Sequence, residues 1–190
     1  MSAPEHERDA RAAASSRPVR LAVVTVSDTR TRATDTGGDA ACAIARAAGV
    51  EIPERRLVRD DPAALDAVLD DLLATPELDA IALTGGTGIG PRDGTIEVVQ
   101  RRLRLELPGF GEQVRAIGWR DVGAASILSR AIGGVADGPD GRSLLVFAMP
   151  GSLRAVESVI RELVVPILPH AVWELRGRMQ RDVGRPEGGD

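Results

Sequence analysis

The sequence predicts an α/β domain in which a parallel sheet carries helices on both faces, and three observations lead there. Short apolar runs at Leu21 to Val26, Ile81 to Leu83 and Leu144 to Met149 are continuous rather than alternating, the mark of strands buried on both faces. Between them lie segments with the i, i+3, i+4, i+7 spacing of amphipathic helices. The order β, α, β, α, β then calls for right-handed crossovers within one parallel sheet.

Taken in chain order, Leu21 to Val26 forms the first strand, and Ala41, Ile44, Ala45 and Ala48 mark the apolar face of the first helix. A further strand falls around Arg55 to Val58, followed by a helix with Leu65, Val68, Leu69 and Leu72 on one side. After Ile81 to Leu83 comes a helix carrying Ile96, Val99 and Leu103. Glu106 to Ala136 breaks the alternation: Pro108, Gly109 and Gly111 open a segment in which Phe110, Val114 and Ile117 share one helical face. Ser126 to Arg130 is expected to continue as helix, and Ala131 to Ala136 as a short strand. Val156, Val159, Ile160 and Leu163 give the helix after Met149 its apolar face. No internal repeat interrupts this order. Residues 1–18 and 176–190, rich in charge, Gly and Pro and without apolar periodicity, are expected to be loosely ordered tails around one domain at residues 19–175.

Composition narrows the function. With 190 residues, 43% of them hydrophobic, the chain can bury a full core as a single domain. Its 24 basic and 28 acidic side chains leave a net charge of −4, with no Lys/Arg block to serve as a nucleic-acid footprint. No apolar run approaches the ~20 residues of a membrane helix, and the start carries no apolar stretch of a signal peptide. A cytoplasmic protein with no membrane or nucleic-acid partner is expected. Cys42 is the only cysteine and reads as a small packing residue. His6 and His170 have no companions at metal-ligand spacing, so zinc chemistry and a Ser-His-Asp triad lose support.

In an open parallel sheet the ligand crevice lies beyond the carboxyl ends of the strands, and the candidate polar clusters all follow strands. Ser27-Asp28-Thr29-Arg30 follows the first, Asp60-Asp61 the second, and Thr84-Gly85-Gly86-Thr87-Gly88-Ile89-Gly90-Pro91-Arg92-Asp93 the third. Pro150-Gly151-Ser152 follows Met149. The glycine-rich loop either brings backbone N–H groups close to a phosphate or forms a tight turn whose glycines supply positive φ. It is neither a Walker A loop nor a G-x-G-x-x-G fingerprint. Asp93 could cap the following helix, Asp60 and Asp61 could start theirs before Pro62, and Ser152 could cap the last. Alternatively, Asp60 and Asp93 bring carboxylates into one crevice, where Mg²⁺ bound to substrate phosphates prefers them. Gly151 would let a ligand approach the amides beside Ser152. Arg30, Arg92 and Arg130 are candidate phosphate forks, Arg92 foremost because the loop carries it.

The run Thr84-Gly85-Gly86-Thr87-Gly88 followed by Pro91-Arg92-Asp93-Gly94-Thr95 resembles the TGGTG…RDxT signature of MoaB/MogA-type molybdenum cofactor biosynthesis proteins. Val26-Ser27-Asp28-Thr29-Arg30, Asp35-Thr36-Gly37-Gly38, Pro108-Gly109-Phe110-Gly111-Glu112, Ile127-Leu128-Ser129-Arg130 and Met149-Pro150-Gly151-Ser152 look like further motifs of that family, in order from about Arg20 to Leu175. The resemblance implies a three-layer α/β/α domain that assembles as a homotrimer or homohexamer and binds molybdopterin. In active members it implies Mg-ATP-dependent adenylylation of the pterin's terminal phosphate. By the same resemblance Asp60 and Asp93 match the acidic positions tied to catalysis and Mg²⁺, and Gly85, Gly86, Thr87 and Gly88 match the phosphate loop. Ser27, Asp28, Ser129 and Ser152 match pocket positions. Gly94 stands where the family usually carries an aliphatic residue, and Leu153 where a proline or polar residue is common. The ending Val172-Trp173-Glu174-Leu175 is closer to the MoaB branch, for which the alternative is a non-catalytic molybdopterin carrier or scaffold.

Overall fold

The computed structural model of the chain describes residues 17–183; the expectations for residues 1–16, His6 among them, and for 184–190 lie outside the described residues. Its strands are β1 (Arg20–Val26), β2 (Glu51–Val58), β3 (Ala80–Thr84), β4 (Leu105–Glu106), β5 (Ile132–Asp137) and β6 (Ser143–Met149). They form one sheet in the order β2-β1-β3-β6-β5-β4. β2, β1, β3 and β6 run parallel, while β5 returns antiparallel to β6, and β4 antiparallel to β5. The helices are α1 (Thr36–Ala47), α2 (Pro62–Leu73), α3 (Thr95–Arg102), α4 (Pro108–Val122), α5 (Leu153–Val159) and α6 (Val165–Val183). A π-helical turn, Ile160–Val164, joins α5 to α6.

Alternation along β1 explains the three layers. Leu21 and Val23 pack into one apolar cluster with Ala41, Phe110, Val156 and Leu168, while Ala22 and Val24 pack into another with Leu65, Leu69 and Val98. All four β1 side chains are completely buried, which is why the strand reads as an unbroken apolar run rather than an alternating one. Cys42 is buried in the first cluster beside Ala41 and Ala45. No helix among the described residues is long and apolar enough to cross a membrane.

Several local expectations change. β2 is longer than Arg55 to Val58, because Arg20 already pairs with Glu51 in the ladder; Pro53 is tolerated because this is an edge strand. Ser126 to Arg130 does not continue as α-helix: Gly123, at φ 58°, ends α4, a 3₁₀ turn covers Gly123–Leu128, and Ser129 is extended. Asp93 does not cap α3. The cap position is Gly94, which makes no side-chain bond, and the Asp93 carboxylate instead accepts the Gly90 N–H at 2.8 Å. Helix α6 runs past Leu175 to Val183. There Arg176 donates to both carboxylate oxygens of Asp79, at 2.6 and 3.2 Å, and to the Arg17 carbonyl. His170 lies on this helix, its ring 6.3 Å from that of Trp173.

Candidate functional site

The chain leaves β1 for α1 and β2 on one side and returns to β3 on the other, so the crevice between the carboxyl ends of β1 and β3 is the topological switch point where ligands bind in such sheets. A polar cavity opens there, lined by Thr25, Ser27, Arg30 and Asp35 on one side and by Thr84, Gly85 and Gly151 on the other. Two glycines make the close approach possible. Gly85 has φ 97°, and a β-carbon on it would collide with the Val26 carbonyl oxygen. Gly86 has φ 62°, and a β-carbon there would collide with Thr95 Oγ1 and stand 2.8 Å from Asp60 Oδ1. The Thr95 hydroxyl is buried and has no partner among the described residues. Gly86 thus forms a cradle facing a carboxylate and an unspent hydroxyl.

Three of the expected site residues, Asp28, Asp60 and Asp93, come together around this cradle. Asp28 accepts the Asp60 N–H at 3.2 Å and pairs with Arg92 at 3.2 Å. Asp61 accepts the Ala64 N–H at 2.8 Å and caps α2, which leaves Asp60 to the crevice. Burial raises the Asp60 carboxyl above its usual range, the Asp93 and Asp28 charges raise it further, and the Gly94 N–H and Arg92 oppose the shift. Ser27 accepts the N–H groups of Thr29 and Arg30 and shapes its own turn. Arg30 is spent on the Thr34 carbonyl. Arg92 remains 81% exposed and can move onto a ligand. Arg130 is not a free fork. It donates to the Gly88 carbonyl at 2.8 Å and the Asp93 carbonyl at 2.7 Å, and is paired with Glu97. Thr87 is buried within the loop.

Ser129 and Ser152 are set apart from the carboxylates. Both line a second, mostly apolar cavity of about 130 Å³ between α4 and α5, together with Ile117, Val122, Pro150 and Val159. Ser152 also caps α5 through the Ala155 N–H. The Pro150-Gly151-Ser152 turn therefore stands between a polar crevice and an apolar slot, with Gly151 on the crevice side.

One network was not expected from sequence. Asp35 caps α1 through the Gly38 N–H, accepts the Thr25 hydroxyl at 2.9 Å and pairs with Arg55 at 2.9 Å. Burial pushes the Asp35 carboxyl up, but Arg55, the Gly38 amide and Thr25 outweigh it, and the carboxyl ends below its usual range. The Asp before Thr36-Gly37-Gly38 carries a helix-start signal that could have located this floor of the crevice; nothing in the sequence points to Arg55.

Comparison with known proteins gives the family. Residues 22–170 match the family model described as probable molybdopterin binding domain. Molybdenum cofactor biosynthesis protein B of Halalkalibacterium halodurans is 38% identical over 176 residues, covering 92% of this chain and 98% of its own. The crystal structure of a molybdenum cofactor biosynthesis protein B superimposes with a TM-score of 0.78 at 38% identity, covering 84% of this chain and 96% of that one. The tungsten cofactor synthesizing protein MoaB from Pyrococcus furiosus does so with a TM-score of 0.71 at 30% identity, covering 84% and 98%. On its glycine loop, its sheet order and these likenesses, the chain belongs to the MoaB/MogA family of molybdenum cofactor biosynthesis proteins.

Proposed function

We propose that this protein, acting in molybdenum cofactor biosynthesis, binds molybdopterin and adenylylates its terminal phosphate with Mg-ATP. The observation that carries the reading is the convergence of Asp28, Asp60 and Asp93 on a glycine cradle at the switch point. Among the described residues no three His, Cys, Asp or Glu side chains converge tightly enough to hold a metal ion alone. That fits Mg²⁺, which takes one or two carboxylates and completes its shell with water and substrate phosphates. Asp60 and Asp93 would hold it, and when bound it neutralises charge on the phosphates.

The chain's own groups do the remaining work by position and electrostatics. The Gly85 N–H is spent on the Met149 carbonyl at 3.1 Å, so the loop amides from Gly86 to Gly88 would meet the phosphoryl oxygens, and Arg92 can leave Asp28 for the outer phosphates. A pterin phosphate oxygen attacks the α-phosphorus in line. The new P–O bond makes a phosphoanhydride as the bond to pyrophosphate breaks, and pyrophosphate leaves. No covalent enzyme intermediate is required. The apolar slot beside Ser129 and Ser152 suits a flat ring, with the phosphates directed past Gly151 into the polar crevice.

The test is pyrophosphate release from purified protein, molybdopterin and Mg-ATP, with Asp93→Ala alongside. Release that requires pterin and collapses in the variant is expected. A second reading, a non-catalytic carrier or scaffold, is favoured by the bare Gly94 cap of α3, which leaves the helix beside Asp93 less firmly anchored. Tight pterin binding without release would establish it. We further propose that the protein works as a homotrimer or homohexamer, since Trp119, Val122, Ile127 and Leu128 stand more than half exposed on adjoining segments of one chain.

A further inference from the structure

We propose that Arg130 is a positioning residue that sets the peptide planes of the glycine loop, turning the Gly88 and Ile89 amides toward a phosphate-sized anion. The inference rests on the reading of the crevice as a phosphate site. It gives Arg130 a different task from the phosphate fork for which it was one candidate.

The guanidinium Nε donates to the Gly88 carbonyl at 2.8 Å and to the Thr87 carbonyl at 3.2 Å, while Nη2 donates to the Asp93 carbonyl at 2.7 Å. The Arg130 backbone N–H adds a bond to the Thr87 carbonyl at 3.3 Å. Three carbonyls from both ends of the loop tip thus converge on one side chain. In a trans peptide the C=O of one residue and the N–H of the next point to opposite sides of the chain. The carbonyls of Thr87, Gly88 and Asp93 face Arg130, so the N–H groups of Gly88, Ile89 and Gly94 face away from it. Gly94 shows which side that is, because its N–H lies close enough to the Asp60 carboxylate to favour the charged form. Among the described residues no protein acceptor takes the Gly88 or Ile89 N–H. Two free donors therefore look out from a loop whose backbone dipoles are locked from behind. The charge of Arg130 is itself matched by Glu97, whose carboxyl it holds below the usual range. Its contribution is thus direction rather than net positive potential.

Lysine separates the two contributions, because it keeps the charge but lacks the planar fork that reaches several carbonyls at once. The measurement is titration of wild-type protein, Arg130→Lys and Glu97→Gln with inorganic pyrophosphate and Mg²⁺, by calorimetry and by amide NMR, with melting temperatures recorded. Arg130→Lys is expected to bind pyrophosphate about tenfold more weakly and to lose the pyrophosphate-induced shifts of Gly88 and Ile89. Glu97→Gln, which leaves the carbonyl bonds in place, should change affinity by about twofold or less. Wild-type affinity with unchanged Gly88 and Ile89 shifts in Arg130→Lys would overturn the assignment. So would a wild-type protein whose Gly88 and Ile89 signals ignore pyrophosphate, a result that decides the matter even if the lysine variant folds poorly. Pyrophosphate binding through these amides, without release from Mg-ATP and molybdopterin, would defeat the adenylylation reading and leave the role of Arg130 standing.

Discussion

At the scale of single residues, the fold treats two carboxylates in opposite ways. Asp60 is raised by burial and by the Asp93 and Asp28 charges, so its ionised form weakens the native state and that stability is lost as pH rises through the raised value. Asp60→Asn should therefore melt higher than wild type at pH about 7 and no differently below about 4, where an ordinary carboxylate is protonated too; calorimetry at both values checks it. The same variant should abolish pyrophosphate release, stability and activity pulling apart as they do at charged sites. Asp35 is lowered, so it stabilises the fold above the ordinary carboxylate range and stops doing so as pH falls through its depressed value. Asp35→Asn removes one of the two carboxylates that pair with the buried Arg55 guanidinium, Asp39 being the other, and should cost about 2 kcal/mol in urea unfolding at neutral pH. A cost below about 1 kcal/mol would mean that the pair adds little beyond a surface bridge. Spacing alone does not tell Asp60 from Asp61, because both precede Pro62 and either could start α2; in the sequence only the family resemblance singles out Asp60. The backbone decides between them: Asp61 is extended and caps, with φ −134° and ψ 124°.

At the scale of elements, that division of labour can be measured. Asp61→Ala removes the α2 cap and should lower stability by about 1 kcal/mol with release near wild type. Asp60→Ala should do the reverse, and two variants with the same profile would contradict the separation. The parallel strands were legible because burial on both faces writes itself as apolar runs, and β1, β3 and β6 lie within a residue or two of where those runs predict them. The edge was not legible. β4 has two residues and exists only because Leu105 and Glu106 find Val135 and Gly134 on a distant strand, a pairing without local periodicity. The task of Arg130 was not legible for a related reason. An arginine's partners are set by tertiary approach, and a guanidinium spent on three carbonyls looks in sequence like any other.

At the scale of the whole molecule, Trp119, Val122, Ile127 and Leu128 give one side of the chain an apolar surface unlike the ion-paired surface around Asp66, Arg101 and Arg102. If copies meet through it, Ile127→Glu should shift a trimer or hexamer toward monomer in sedimentation velocity at micromolar concentration, while leaving the melting of each domain cooperative. A wild-type monomer at those concentrations would remove the assembly from the account. The anchoring of Arg176 by Asp79 and the Arg17 carbonyl bears on handling the protein as well. Residues 17 and 176 meet at the starting ends of β1 and β3, and the seven residues of β1, at about 3.3 Å each, hold that point roughly 20 Å from the crevice. A fluorophore or a surface tether introduced beside either position would report on the protein, or immobilise it, with its ligand mouth still turned toward open solution.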